Sequence, residues 1–160
     1  MSGISLLDLS DISKEWQGRA YIDRTYILTL DDWPECGYIE LPMPPLDSIT
    51  SIVYTDSSGT NNTWSSAEYQ VDASGFVGRV SPAYGYSWPS SVLRVMAGVT
   101  VTYKAGYGAA TSDVPERIKH AIKMVLGDLW ENREDSDIVQ KYKVPWGVKG
   151  LLGFDRVNPI

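Results

Sequence analysis

The sequence between residues 48 and 59 is Ser48-Ile49-Thr50-Ser51-Ile52-Val53-Tyr54-Thr55-Asp56-Ser57-Ser58-Gly59. Apolar and polar residues largely alternate up to Thr55, and this period is typical of a strand with one face in a core. The four residues that follow are of types that accommodate a tight turn. This stretch therefore predicts a long strand that ends in a four-residue turn.

Shorter strands are predicted on both sides of this one, within a β region that spans residues 20–108. They are Tyr26–Leu30, Tyr38–Leu41, Tyr69–Asp72, Gly78–Ser81 and Val99–Lys104. Residues 32–37 have the composition of a turn between the first two strands. Pro42, Pro44 and Pro45 interrupt the pattern before Ser48, because proline donates no backbone hydrogen bond, and they favour an extended crossing between two strands.

Segments in which apolar residues recur at helical spacing lie on both sides of the β region. A long helix is predicted near residues 113–133, with Asp113 as its N-cap, Pro115 in its first turn and Glu116 completing a capping box. Its apolar stripe consists of Val114, Ile118, Ala121, Ile122, Val125, Leu126, Leu129 and Trp130. A short helix is predicted over residues 5–17, and one or two helical turns are predicted around Val148–Leu152.

These elements predict an α+β fold class in a single domain of residues 1–160. Residues 1–19 and 113–137, with a short C-terminal helix, form a small helical core in this prediction. The antiparallel β region of residues 20–108 is inserted into that core. Residues 138–160 form an extended C-terminal arm.

The composition excludes several kinds of site. The chain of 160 residues has one His and one Cys, so one protomer cannot form a disulfide or a structural zinc site of Cys and His ligands. Its 20 acidic and 14 basic residues give a net charge of −6, which argues against wrapping nucleic acid by neutralising phosphates. We expect no signal peptide and no membrane-spanning segment, and we expect neither a metal nor a cofactor.

No sequence pattern indicates catalysis. The P-loop, Gly-x-Gly-x-x-Gly, Gly-x-Ser-x-Gly and His-Glu-x-x-His motifs are missing from the sequence. A nucleophilic triad would depend on His120 alone, Cys36 has no adjacent basic residue, and a catalytic pair of carboxylates cannot be identified from sequence. We therefore expect that the protein is not an enzyme, and the alternative is a hydrolase that uses His120 or two carboxylates.

Trp and Tyr together account for 16 residues of the chain. Such side chains are favoured where a surface is buried against a partner, and they also pack small cores. The alternative is a platform on which sugars stack, formed by Trp64, Trp88, Tyr84 and Tyr86. That alternative corresponds to a carbohydrate-binding or receptor-binding module of a virion.

Charge is distributed unevenly along the chain. Residues 1–72 have a net charge of −9, whereas residues 73–160 have a net charge of +3. This asymmetry suggests that two faces or ends of the molecule meet different environments. The alternative is that folding mixes the two sets of charges on one surface.

Several motifs occur in an order and spacing that resembles head–tail connector (adaptor) proteins of tailed phages and prophages, in the branch with an inserted β region. They are Glu15–Ala20, Leu28–Pro34, Leu41–Leu46, Ser48–Tyr54, Asp56–Gly59, Tyr69–Asp72, Gly78–Val80, Ser87–Pro89, Val101–Gly108, Val114–Lys119, Trp130–Glu134 and Pro145–Leu152. The resemblance extends over nearly the whole chain.

The resemblance implies a structural virion protein that forms a ring, usually of twelve copies, beneath the portal protein and extends the DNA channel towards the tail. The implied partners are other copies of the chain, the portal protein, a tail-side connector (stopper or terminator) protein and double-stranded DNA that passes without specific binding. No membrane is expected among these partners. The implied location is the head–tail interface of the virion, after assembly in the host cytoplasm.

Two groups of residues are candidates for these contacts. The basic C-terminal arm is expected to dock on the portal through Lys143, Pro145, Trp146, Lys149, Leu151, Leu152 and Arg156. The acidic part of the chain is expected to face the channel, because a conduit that carries DNA must not hold it. The candidates for the channel surface are Asp31, Asp32, Glu35, Glu40 and Asp56.

Overall fold

A computed structural model describes residues 18–131 of the chain. These residues form seven β-strands, one 3₁₀ turn and one α-helix. The elements are β1 (Arg24–Leu30), β2 (Ile39–Leu41), β3 (Leu46–Thr55), β4 (Asn61–Thr63), β5 (Tyr69–Asp72), β6 (Gly78–Pro82), β7 (Val99–Ala105), the 3₁₀ turn Thr111–Asp113 and α1 (Glu116–Glu131). The six strands predicted from the sequence are all present, and the short strand β4 is additional.

Strand β7 is the centre of a four-stranded antiparallel sheet with the order β1-β7-β3-β4. Its residues alternate strictly between buried and partly exposed positions, and the buried ones are Val99, Val101, Tyr103 and Ala105. The partner β3 runs alongside it with two irregularities in register, between Leu46 and Ser48 and between Ile49 and Ser51. The period of two in both sequences therefore places one face of this sheet in the core.

The second sheet is three-stranded and antiparallel, with the order β2-β6-β5. Ile39, Leu41 and Val80 from this sheet join Ile52 and Val101 of the first sheet in one buried cluster. Residues 42–45 connect β2 with β3, and the three prolines interrupt the strands there, as the sequence predicted. The connection is bent and not the extended crossing that was expected, and it joins strands of different sheets. The hydroxyl of Tyr103 donates a 2.6 Å hydrogen bond to the carbonyl of Pro42 and fixes this crossing to the central strand.

Helix α1 begins later than predicted. The carbonyl of Pro115 accepts the first helical hydrogen bonds, from the amides of Ile118 and Lys119 at 3.0 and 3.3 Å. The prediction that Asp113 is the N-cap is therefore wrong. The Asp113 carboxylate instead accepts a hydrogen bond from the amide of Ala110 at 3.1 Å, within the 3₁₀ turn.

The predicted helical core also needs correction for the described residues. The large buried cluster is formed by the two sheets, and α1 is the one α-helix within residues 18–131. A smaller cluster joins Val114 and Ile118 to Tyr21, with Ile22 and Tyr107 packed against it. The predicted helices at 5–17 and 148–152 and the arm at 138–160 lie outside the described residues.

Candidate interaction surface

The connection between β6 and β7, residues 83–98, forms an extended loop that we call the 83–98 loop. Sixteen residues without strand or helix are unusual for a compact domain, and such loops are commonly functional. Four backbone–backbone hydrogen bonds nevertheless tie the loop to the rest of the fold. They join the amide of Ala83 to the carbonyl of Glu68, Ser57 to Val92, Arg94 to Thr55 and Thr55 to Gly98, at 2.8–3.1 Å.

Three tryptophans fix the middle of the loop. The Trp88 ring lies 5.0 Å from that of Trp33 in a stacked arrangement and 5.3 Å from that of Trp64 in a tilted one. Trp64 is buried in the main core, and Trp33 and Trp88 are packed against it. Trp64 and Trp88 therefore pack the interior, so the sugar platform proposed for four aromatic residues does not form as a set.

The same loop exposes large apolar side chains. Tyr84, Tyr86, Val92, Val95 and Met96 are all more than half exposed, and Val95 is 91% exposed. We call these five side chains the apolar tip. A loop that is anchored at many points and still presents such a group to solvent has the character of an interaction site.

Two of the predicted channel residues accept hydrogen bonds from backbone amides, one within this loop and one within the turn between β3 and β4. Asp31, just after β1, accepts a 2.8 Å hydrogen bond from the amide of Ala97 through its Oδ1 atom. Asp56, just after β3, accepts 2.9 Å hydrogen bonds from the amides of Ser58 and Thr60. Hydrogen bonds from Ser58 and Thr60 hold the pKa of the Asp56 carboxyl below its ordinary value.

The register of the four-stranded sheet gathers three of the five predicted channel residues at one end. Leu30 pairs with Val99, and Val99 also pairs with Tyr54, so Asp31, Asp32 and Asp56 follow strand positions that lie side by side. We call this the acidic end of the sheet. Glu35 is exposed in the connection that leads from β1 to β2.

Glu40 lies apart from these residues, on the outer face of the three-stranded sheet. Its carboxylate is 3.6 Å from the guanidinium of Arg79, and both side chains are about half exposed. The Arg79 guanidinium also lies 5.1 Å from the centre of the Tyr38 ring. This face carries a groove of about 420 Å³ lined by Tyr38, Gln70, Asp72, Arg79 and Ser81, among others.

Basic and acidic residues are mixed at the opposite end of β7. Lys104 is 2.9 Å from the carboxylate of Asp23, whose hydrogen bond and charge raise the pKa of the lysine. Helix α1 then presents Arg117, His120 and Lys123 on its exposed side, while Lys119 is 2.6 Å from Glu116. The Lys119 ammonium holds the pKa of the Glu116 carboxyl below its ordinary value.

Candidate catalytic groups are dispersed over the described structure. His120 is exposed on α1, and Cys36 is exposed in the β1–β2 connection with its Sγ atom 3.2 Å from the carbonyl of Tyr38. Within residues 18–131 no three His, Cys, Asp or Glu side chains are grouped as metal ligands. The helix among these residues is not of the length and apolarity that crossing a membrane requires.

The sequence interpretation missed most of the apolar tip. Val92, Val95 and Met96 were not singled out, although residues 83–98 contain a single charged residue, Arg94, among many apolar ones. That shortage of charge between two predicted strands was the available signal. The seven candidate portal-docking residues, from Lys143 to Arg156, lie outside the described residues.

The chain shares its fold with protein chains from gene transfer agent particles. One belongs to the virion of the native particle, with a TM-score of 0.77 and 21% identity over 97% of this chain and 76% of that chain. A second belongs to the neck of the empty particle computed with C6 symmetry, with a TM-score of 0.76 and 19% identity over 100% and 85% of the two chains.

A third similar chain belongs to the neck of the native particle computed with C12 symmetry. Its TM-score is 0.78, with 21% identity over 97% of this chain and 81% of that chain. No protein-family model and no curated protein matches the sequence. The similarity to these solved structures establishes the fold of the chain.

Proposed function

We propose that the chain is a structural virion protein of the head–tail connector, an adaptor that forms a ring beneath the portal and extends the DNA channel towards the tail. The observation that carries this proposal is the fold shared with chains of two gene transfer agent necks over 97–100% of this chain. It agrees with the resemblance of the sequence motifs to phage adaptors. The protein acts in the neck of the particle, after assembly in the host cytoplasm.

The surface chemistry supports a role in assembly. The necks of the similar chains were computed with C6 and C12 symmetry, and a protein repeated around an axis needs lateral contact surfaces. The apolar tip supplies surface of the kind that buried contacts use. In this proposal the protein has a mechanical role and catalyses no reaction.

The acidic end supports a role as a DNA conduit. Asp31, Asp32 and Asp56 lie together there, so folding keeps at least these negative charges on one end of the sheet. Negative charge repels the phosphates of a passing duplex and prevents it from binding. We propose that this end, with Glu35 and Glu40, contributes to the channel surface.

This part of the proposal is tested by reversing charge at Asp32 and Glu35, which are exposed. The variant Asp32→Lys/Glu35→Lys should assemble particles but eject DNA more slowly, because the pore then attracts phosphate. Glu68→Lys, outside the five candidates, is the matched control. Equal ejection rates for the two variants would show that the channel is lined by other residues.

The C-terminal arm is proposed to dock on the portal. Its lysines and arginine supply positive charge, and Trp146, Leu151 and Leu152 supply apolar anchors. Deletion of residues 143–160 should abolish binding to the portal, measured by co-sedimentation of the purified proteins. Portal binding that is unchanged by the deletion would exclude this role for the arm.

Electron microscopy of the purified chain mixed with its portal protein tests the proposal as a whole. We expect a ring of this protein stacked coaxially on the portal. A monomer that ignores the portal and binds glycans on an array would instead identify a carbohydrate-binding module. In that case Tyr84 and Tyr86 would be the exposed aromatic residues to examine.

A further inference from the structure

We propose that Glu40 and Asp72 neutralise Arg79 on the outer face of the three-stranded sheet, so that the groove on this face does not bind the phosphates of DNA. This inference rests on the proposed function, because it explains how a basic side chain can lie on a surface that DNA passes. The groove contains the donors of a phosphate-binding site, and the two carboxylates prevent their use.

The period of two along β2 and β6 determines which side chains form this face. Ile39, Leu41 and Val80 are buried in the main core, so the side chains between them point away from it. The pairing of β6 with β5 continues the same face across the sheet. The outward positions of the three strands are Glu40, Arg79, Ser81, Gln70 and Asp72, and Tyr38, directly before β2, lines the groove with them.

The register places a carboxylate on each side of Arg79. The central strand of this sheet is β6, and its Arg79 pairs with Glu40 of β2 and with Asp72 of β5. Opposite charges that face each other on neighbouring strands attract, and the Glu40 carboxylate is 3.6 Å from the guanidinium. Arg79 is the one basic residue of β2, β5 and β6. One positive and two negative charges leave this row with a net charge of −1.

Local contacts fix two members of the row. The Asp72 Oδ1 atom accepts hydrogen bonds from the amide and the hydroxyl of Ser74, at 2.9 and 2.6 Å. These bonds, with a smaller contribution from the charge of Arg79, hold the pKa of the Asp72 carboxyl below its ordinary value, so the group is ionised at neutral pH. The Arg79 guanidinium lies 5.1 Å from the centre of the Tyr38 ring, which restricts it further.

Without the carboxylates, the groove would have the composition of a phosphate site. Arg, Ser, Gln and Tyr side chains are common donors to the phosphates of nucleic acids. All four types line the groove of about 420 Å³, in Arg79, Ser81, Gln70 and Tyr38. The Nε2 atom of Gln70 donates a 3.0 Å hydrogen bond to the Ser81 hydroxyl, so these two donors are neighbours. The two carboxylates repel a phosphate that approaches this set of donors.

Repetition around a ring would amplify the effect of one unpaired arginine. Each copy would offer one guanidinium to the duplex, and weak contacts on one assembly combine into strong binding. Each phosphate that is neutralised also releases counterions and increases the affinity further. Two carboxylates beside Arg79 in every copy therefore keep the surface from retaining the duplex.

DNA binding by the full-length protein tests this arrangement. The variant Glu40→Gln/Asp72→Asn removes both negative charges, keeps the size of the side chains and keeps an acceptor for Ser74. Its affinity for a short fluorescent DNA duplex, measured by anisotropy at low salt, should rise about tenfold over that of the native protein. Glu40→Gln alone, which leaves Asp72 and its turn unchanged, should give a gain of about threefold. Addition of Arg79→Gln should abolish both gains.

A matched control separates the position of the charges from their number. Asp32→Asn/Glu68→Gln makes the same change in net charge outside the groove and should leave the affinity for the duplex almost unchanged. An equal gain in this control, or a gain that persists after Arg79→Gln, would overturn the inference. The Nε–Hε resonance of Arg79 should shift when the duplex is added to the groove variant. An equal shift in the native protein would show that the carboxylates do not restrain Arg79.

The same measurements separate this inference from the proposed function, because they need neither the ring nor the portal. If the protein forms a ring on the portal but the groove variant gains no DNA binding through Arg79, the inference is wrong and the connector function stands. If the variant gains binding through Arg79 but no ring stacks on the portal, the neutralisation of Arg79 stands and the connector function is wrong.

Discussion

The indole rings of Trp33 and Trp88 stack with 5.0 Å between their centroids and 17° between their planes. Trp33 follows β1 closely in sequence, whereas Trp88 lies in the middle of the 83–98 loop. The stack therefore joins the loop that carries the apolar tip to the body of the protein. Both rings also contact Trp64, which is buried in the main core.

Replacement of Trp88 by Ala should loosen the loop and destabilise the protein. We expect a decrease of about 3 kcal/mol in the free energy of unfolding, because truncation of a large packed aromatic side chain leaves a cavity. Denaturant titration measures this change, and hydrogen exchange of the loop amides should accelerate. Trp88→Phe should retain much of the packing, and Tyr84→Ala should change stability by less than about 0.5 kcal/mol because Tyr84 is fully exposed.

Asp31 provides a second, polar attachment of the same loop. Asp31→Ala leaves the amide of Ala97 without its 2.8 Å acceptor, and we expect a loss of about 1 kcal/mol together with faster exchange at that amide. Asp31→Asn keeps an oxygen at the acceptor position and should be milder. Asp32→Ala is the neighbouring control, since the described contact of the Asp32 carboxylate is with the amide of the next residue, Trp33. Equal effects of Asp31→Ala and Asp32→Ala would contradict this role for Asp31.

Two glycines give opposite predictions for the same substitution. A Cβ on Gly98 would lie 2.5 Å from the carbonyl oxygen of Asp31 and 3.0 Å from the Cβ of Leu93, so Gly98→Ala should cost about 2 kcal/mol. Gly127 faces open space, so Gly127→Ala should stabilise the isolated chain by up to about 1 kcal/mol. Thermal unfolding measures both changes.

The amino-acid pattern predicted the strands well because alternation is a local signal. The strand at Tyr69–Asp72 begins and ends where expected, and β1, β2, β3, β6 and β7 differ by only a few residues at their ends. The short strand β4, with the sequence Asn61-Asn62-Thr63, has no apolar alternation. It exists because it pairs with Val53–Thr55 across the Asp56 turn, which is a tertiary property.

The interaction surface was less predictable because, like β4, it depends on tertiary contacts. The hydrogen bond between Asp31 and Ala97 joins residues 66 positions apart, and nothing local in the sequence indicates it. The sequence also did not distinguish the buried Trp64 from the exposed Tyr84, because residue type alone does not determine whether an aromatic side chain is buried. Asp113 had the sequence context of an N-cap, but its carboxylate turns back to Ala110 in the 3₁₀ turn.

Asp56 should make the stability of the β3–β4 turn depend on pH. Hydrogen bonds from Ser58 and Thr60 lower its pKa in the folded protein below the ordinary value of 3.8. Its stabilisation is therefore present above that value and is lost as the pH falls through the lowered pKa. The unfolding free energy of the native protein should exceed that of Asp56→Asn at neutral pH, and the difference should shrink below pH 3.8. A constant difference across this range would contradict the assignment.

Tyr103 should make the stability of the protein depend on pH in the alkaline range. Its ring is buried between the sheets, its hydroxyl donates to the carbonyl of Pro42, and burial, with a smaller contribution from Tyr26, raises its pKa from 10.0 to about 12. Because the folded protein holds the proton more tightly, the stabilisation is complete below pH 10.0 and is lost as the pH rises through about 12. Tyr103→Phe removes the hydrogen bond and should cost about 1 kcal/mol at neutral pH.

The difference in unfolding free energy between the native protein and Tyr103→Phe should therefore narrow above pH 10.0, measured by denaturant titration at each pH. The tyrosinate absorbance of the folded native protein should show one more late-titrating group than that of the variant. Other tyrosines titrate in both proteins, so the comparison isolates Tyr103. If the group that the variant lacks is instead one that titrates near pH 10 in the native protein, the Tyr103 hydroxyl is exposed to solvent. Its hydrogen bond to Pro42 would then not hold the crossing between β2 and β3.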